Sequence, residues 1–178
     1  MKRAFVGLVL AALLAASLWF EPWRLFTDST VDEAPPTSSP AGDTAAEEPS
    51  QSPVATAEPT APPAEDTLLA QGDFEDAEHG TTGAATVLRL ADGRRFVRLE
   101  GLATSDGPDL HVWLTDQPSG GEWGSYDDGR YVRLVELKAN HGNQNYEIPP
   151  GADLAGIRSV VIWCDRFDVA FGTAPVRL

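Results

Sequence analysis

Cysteine and methionine each occur once in the 178 residues. A single thiol cannot close an internal disulfide, and there is no Cys-x-x-Cys pair for a zinc or dithiol redox site. Basic residues are also scarce, 13 against 27 acidic ones, for a formal net charge of -14. That balance excludes a nucleic-acid binder, because phosphate backbones are gripped by clustered Lys and Arg. It equally disfavours docking on anionic lipid through charge. Only three histidines are present, which leaves little scope for a transition-metal site built from several strong ligands. No Gly-x-Ser-x-Gly elbow exists for a serine hydrolase. Acidic turns such as Asp127-Asp128-Gly129 lack the spacing of a calcium loop with its distal Glu.

What is present divides into three parts, 1–26, 27–66 and 67–178. In the first, Lys2 and Arg3 precede 17 uncharged residues, Ala4 to Phe20. As a helix this run would be about 25 Å long, near the lower limit for crossing a bilayer. Trp19, Phe20 and Trp23 suit an interface, and the basic flank predicts that the C-terminal part is exported. Two outcomes fit: an uncleaved single-pass anchor in the cell membrane, or a signal cleaved near Ala15-Ala16-Ser17 to give a secreted protein. The bulky Leu18-Trp19-Phe20 beyond that site favours the anchor. No cysteine lies nearby, which excludes a lipoprotein.

Residues 27–66 hold 8 of the 14 prolines, 9 acidic residues and no Lys or Arg. From Ala34 to Asp66 the only large aliphatic side chain is Val54. Such a stretch cannot bury enough apolar surface to offset the entropy of ordering, so a disordered linker is expected. Its reach as a spacer would lie between about 35 Å as a coil and about 120 Å extended.

Residues 67–178 therefore carry the fold. They contain 14 of the 16 glycines and 17 acidic against 10 basic groups, with no helix-length periodicity. Short β-rich runs stand between turn residues: Thr86–Leu90, Arg95–Leu99, Leu110–Thr115, Tyr131–Leu137, Ser159–Cys164, Phe167–Phe171 and a last Pro175–Leu178. Asp92-Gly93 between the first two is a hairpin signal. This spacing predicts an all-β, antiparallel β-sandwich. Leu110, Val112 and Leu114 alternate with His111 and Trp113, so the two sets face opposite ways. Ser159–Cys164 is almost wholly apolar and reads as a central strand covered on both faces. Within it Cys164 shares parity with Val160 and Ile162.

Several of these residues carry a family resemblance. His79 and Gly83 open it, Gly107-Pro108-Asp109 leads into the middle strand, and Leu137 to Tyr146 with Ile148-Pro149 continue it. The most specific part is Trp163-Cys164-x-x-Phe167-x-Val169-x-Phe171-Gly172. Over roughly residues 71–178 the chain resembles the DM13 family, whose domain also occurs beside DOMON modules in animal cell-surface proteins. The resemblance implies a β-sandwich with a redox or electron-transfer role centred on Cys164. Its cofactor is left open. A thiolate can ligate haem iron or another metal such as copper, or act as a naked thiol through sulfenic acid or a mixed disulfide. His79 matches the family's N-terminal histidine and would be an accessory ligand or proton acceptor if its loop approaches Cys164.

The residues alone allow another reading. Free cysteine often serves as a small buried hydrophobe, which would make this a non-enzymatic extracellular binding or structural module. Against that, an unpaired thiol in an exported protein is unusual unless it is buried or useful. Arg166 would favour a thiolate and Asp165 oppose it. His111 is expected as a packed strand residue, His141 as part of an Asn-His-Gly-Asn turn, and Asp109 as a turn residue bonding nearby amides. The expected partners are the membrane, through the N-terminal run, and an extracellular redox or protein partner.

Overall fold

The computed structural model describes residues 27–38 and 65–178. Ten strands follow in chain order: β1 (Thr30–Asp32), β2 (Thr67–Asp73), β3 (Glu75–Asp76), β4 (Thr82–Arg89), β5 (Arg95–Ala103), β6 (Leu110–Thr115), β7 (Tyr131–Glu136), β8 (His141–Ile148), β9 (Ser159–Cys164) and β10 (Val169–Pro175). No helix occurs among the described residues. The expected helix in 1–26 and the part of the expected linker from 39 to 64 lie outside them. One sheet runs β1-β8-β5-β4-β2 and the other β3-β10-β9-β6-β7. The pairings are antiparallel, except that β1 lies parallel to β8.

Period-two alternation decides which side chains meet between the sheets. Ala85 and Val87 of β4, Val97 and Leu99 of β5, and Tyr146 and Ile148 of β8 face Leu110, Val112 and Leu114 of β6. Val160, Ile162 and Cys164 of β9 and Phe171 of β10 complete that core. All six residues of β9 are buried, as expected for a central strand covered on both faces. Its other set, Val161 and Trp163, packs with Trp113, Ala170 and the fully buried Tyr126 from the segment after β6. Thr115 Oγ1 donates to the Tyr126 carbonyl at 3.0 Å and the Gly121 N–H donates to Tyr126 Oη at 3.0 Å, fixing that cover.

Several parts of the strand pattern differ from the sequence expectation, beginning with β2 and β3, which no expected run covers, and β4, which starts at Thr82. Phe167 and Asp168 belong to the β9–β10 turn, where Asp168 takes a positive φ of 52°, so β10 starts at Val169. Residues 176–178 are not a strand; the N–H groups of Val176 and Leu178 donate to the Arg158 and Ile157 carbonyls at 2.8 and 3.1 Å. His141 begins β8 rather than sitting in a turn. This strand is polar, and Gln144 makes that tolerable. Its fully buried amide donates to the Ala139 carbonyl at 2.8 Å and accepts from Tyr146 Oη at 2.6 Å.

The largest difference lies before β2. Residues 27–38, expected as the start of a disordered linker, lie on the edge of β8. Apolar content misses this segment because polar contacts hold it. Lys138 Nζ pairs with Glu33 Oε1 at 2.7 Å, and the Asn145 N–H donates to Glu33 Oε2 at 2.7 Å. Asn140 Oδ1 accepts from the Ser29 N–H at 2.7 Å, and its Nδ2 donates to Asp28 Oδ1 at 3.1 Å. Partial burial raises the Glu33 pKa, but Lys138 and the Asn145 amide outweigh it and hold the carboxyl below its ordinary value.

Gly142 makes the close approach possible. Its φ is +102°, and a Cβ there would stand 2.0 Å from the Val31 carbonyl oxygen. Gly142→Ala should therefore displace β1 and cost about 1–3 kcal/mol in chemical denaturation. Hydrogen exchange at residues 30–33 should speed up more than exchange in β9.

Candidate functional site

Cys164 ends β9, opposite Leu110 of β6 and Val169 of β10. It has no exposed surface. Its sulfur is nonetheless not surrounded by hydrocarbon alone. The main-chain N–H groups of Phe167 and Arg166, in the turn that follows, and of Asp109, just before β6, lie near enough to act on its ionisation, while the Phe167 N–H donates to the Cys164 carbonyl at 3.3 Å. Burial raises the thiol pKa; these three N–H groups oppose the rise, the Asp109 charge adds to it, and the net shift is upward. At neutral pH the group is a thiol. The turn that supplies two of the amides is the Cys-x-x-Phe of the most specific string in the sequence. Gly172 closes that string because a Cβ there would lie 2.4 Å from Thr81 Cβ.

His79 follows β3. Its ring packs on Phe171 with centroids 4.0 Å apart, its N–H donates to the Phe171 carbonyl at 3.3 Å, and its Nε2 is 3.7 Å from Glu78 Oε2. Phe171 belongs to the same core cluster as Cys164. The described side-chain contacts of His79 are with Phe171 and Glu78; its carbonyl accepts from the Thr81 hydroxyl at 3.5 Å, and its side chain is partly exposed.

On the outer face of β6 the structure assembles a group the sequence did not single out. His111 is buried, and its Nε2 lies 2.9 Å from Asp109 Oδ1, 2.9 Å from Arg133 Nη2 and 3.5 Å from Asp165 Oδ2. Arg133 and Asp165 form a close ion pair. Nδ1 of His111 is buried without a partner. The signal for this group was legible in part: Asp109 and His111 are two apart on a strand, and Asp165 follows the motif cysteine. The missing member was Arg133 on β7, which only the strand register brings opposite Trp113.

The cofactor possibilities can be tested on these residues. Asp109, His111 and Asp165 offer ligand atoms within 4.8 Å of one another. The Arg133 guanidinium already stands among them, so the group is an ion-pair network. Cys164 is not a member, since its parity directs it to the opposite face of the sheet. Nor does haem fit Cys164, because a sulfur with no exposed surface cannot meet a haem iron while the core stays closed. The largest cleft described, about 640 Å³, is lined by Thr27, Ser29, Asp106, Leu110, Lys138 and Asn140 among others. It reaches the cross-strand neighbour of Cys164 but not the sulfur.

Fold and site together define a two-sheet all-β domain with one buried thiol at the end of its central strand. The family model described as electron transfer DM13 matches residues 73–176, and the chain belongs to that family. No curated protein and no solved structure gives a match.

The raised thiol pKa sets a direction for alkaline stability. The folded-state value exceeds the ordinary 9.0, so the unfolded chain ionises first as pH rises. The stabilisation is complete below about pH 9 and is lost as pH climbs through the folded value. Burial raises Tyr146 too, with the same sign. The difference between wild type and Cys164→Ala in denaturation midpoints, taken from pH 7 to 11, isolates the cysteine. It should narrow in wild type's disfavour above pH 9.

Proposed function

We propose that this is an exported, membrane-tethered electron-transfer domain whose redox centre is Cys164. Membership of a family described by electron transfer supports the redox role. The observation that carries the assignment to Cys164 is its complete burial at the end of β9, within the Cys-x-x-Phe turn of the most specific string in the sequence. Burial outweighs the nearby main-chain groups and keeps the sulfur a neutral thiol, so its redox change is loss of an electron together with its proton. Complete burial removes thiol–disulfide exchange with a folded partner from consideration, because that reaction requires direct attack on sulfur. The chemistry left is electron loss and gain at a sulfur that partners do not touch.

Tethering rests on the uncharged run from Ala4 to Phe20. No helix among the described residues is long and apolar enough to cross a membrane, and that run lies outside them. The native protein should fractionate with membranes and retain Met1–Phe20 by intact-mass measurement. A new N-terminus near Leu18 would instead establish a cleaved signal.

A second reading has its own support, since Cys164 sits fully buried in the apolar cluster. There it would pack a binding or structural module. Cys164→Ser decides between them. In a packing site the change affects stability alone, with no electrochemical change. In a redox site the domain also loses its protein-film voltammetric wave. Wild-type protein that is silent in voltammetry, and alkylated only as fast as it unfolds, would overturn the redox assignment.

A further inference from the structure

A redox sulfur with no exposed surface needs a route for electrons, and the outer face of the second sheet contains one. Tyr131 opens β7 with 43 % of its surface exposed. Its ring stacks on Trp113 of β6 at a centroid distance of 4.3 Å, with planes only 5° apart. Trp113 in turn stacks on Trp163 of β9 at 4.8 Å and 25°. Trp113 and Trp163 are both buried, and Trp163 is bonded through the main chain to Cys164. The three rings form an unbroken column from solvent to the residue beside the thiol.

We propose that Tyr131, Trp113 and Trp163 are an electron relay, with Tyr131 as the port where an external one-electron acceptor, a metal-centred oxidant, makes contact. The relay rests on the reading of Cys164 as the redox centre and explains how that centre works while buried. One electron passes from Tyr131 to the acceptor, which is reduced. The vacancy moves to Trp113 and then to Trp163, and is filled by an electron from Cys164. The S–H bond breaks and its proton is released to solvent, since the Asp109 carboxylate lies with His111 on the opposite face of the sheet. The products are a sulfur radical, a solvated proton and a reduced acceptor; an electron donor at Tyr131 reverses each step.

Three observations suit a relay better than packing alone. Stacking stabilises each pair of rings, and that stabilisation does not require a continuous path to the surface. Trp113 Nε1 is buried without an acceptor, so the oxidised indole has nowhere to leave its proton and passes the charge on. Tyr131, the outermost ring, lies on the edge strand of its sheet, where an approaching centre meets no cover from a further strand.

Photogenerated tris(bipyridine)ruthenium(III), with persulfate as sacrificial acceptor, supplies the one-electron oxidant to the full-length protein in air. Mass spectrometry then maps oxygenated products at residues 113, 163 and 164. The wild type should accumulate oxidised Cys164 under conditions where an alkylating reagent leaves the thiol untouched. Trp113→Leu should lower that yield by an order of magnitude, because electron transfer falls off exponentially with the gap it leaves. Trp113→Tyr should restore most of it, and Tyr131→Leu, a surface change that spares the core, should lower it as well. Equal Cys164 oxidation in wild type and both leucine variants, each folded by circular dichroism, would overturn the relay. So would a wild type in which neither Trp163 nor Cys164 is oxidised. Oxidation reaching Trp163 in a Trp113-dependent way, with Cys164 intact, would keep the relay and remove Cys164 as its terminus.

Discussion

The alternation of side chains along β9 organises this domain. Because successive residues of a strand point to opposite faces, one six-residue run supplies Val160, Ile162 and Cys164 to the space between the sheets and Val161 and Trp163 to the outside. Neither set can be exposed cheaply, so both faces must be covered. The facing sheet, β1-β8-β5-β4-β2, covers one, and the segment carrying Tyr126 covers the other. Shifting the register by one residue would put Trp163 into the main core and Cys164 beneath Tyr126. The fixed register also places His111 across from Trp163 and Leu110 across from Cys164. The ion-pair group and the thiol are therefore separated by one sheet thickness and joined at Asp109, whose carboxylate meets His111 while its amide lies near the sulfur.

How far the site could be read from sequence follows the same division. Strands with alternating or continuous apolar residues were legible: the observed β6 and β9 coincide with the runs the pattern marks. Strands stabilised mainly by neighbours were not. β8 is polar along most of its length and exists because β5 and β1 flank it and Gln144 is internally satisfied. β4 begins four residues before its β-rich run, since Gly83-Ala84-Ala85 has little intrinsic preference for a strand. The parity of Cys164 was legible, but the amides around its sulfur come from a turn and from Asp109, and neither approach is encoded in local spacing. Arg133 was invisible for the same reason, being brought to His111 only by pairing of β6 with β7.

Residues 27–38 show where composition misleads. A low apolar count argues against an independent core, and residues 27–38 have none. It says nothing about docking onto an existing sheet edge, where main-chain hydrogen bonds and a few charged contacts suffice. An uncovered β8 would present unpaired main-chain groups to any strand in its surroundings, and β1 occupies that edge from within the same chain.

The docked segment also changes what the proline-rich stretch does mechanically. The Thr37 carbonyl accepts from Arg94 Nη2 at 3.0 Å, and Asp66 Oδ1 accepts from the Ala91 N–H at 2.8 Å. Both ends of the intervening chain are therefore pinned at the same β4–β5 turn. A segment anchored to one body at both ends transmits no separation between that body and anything else. Each doubling of the number of residues between those two pinned ends costs about 0.6 kcal/mol of loop entropy, so the docking of residues 27–38 depends little on how many residues lie between.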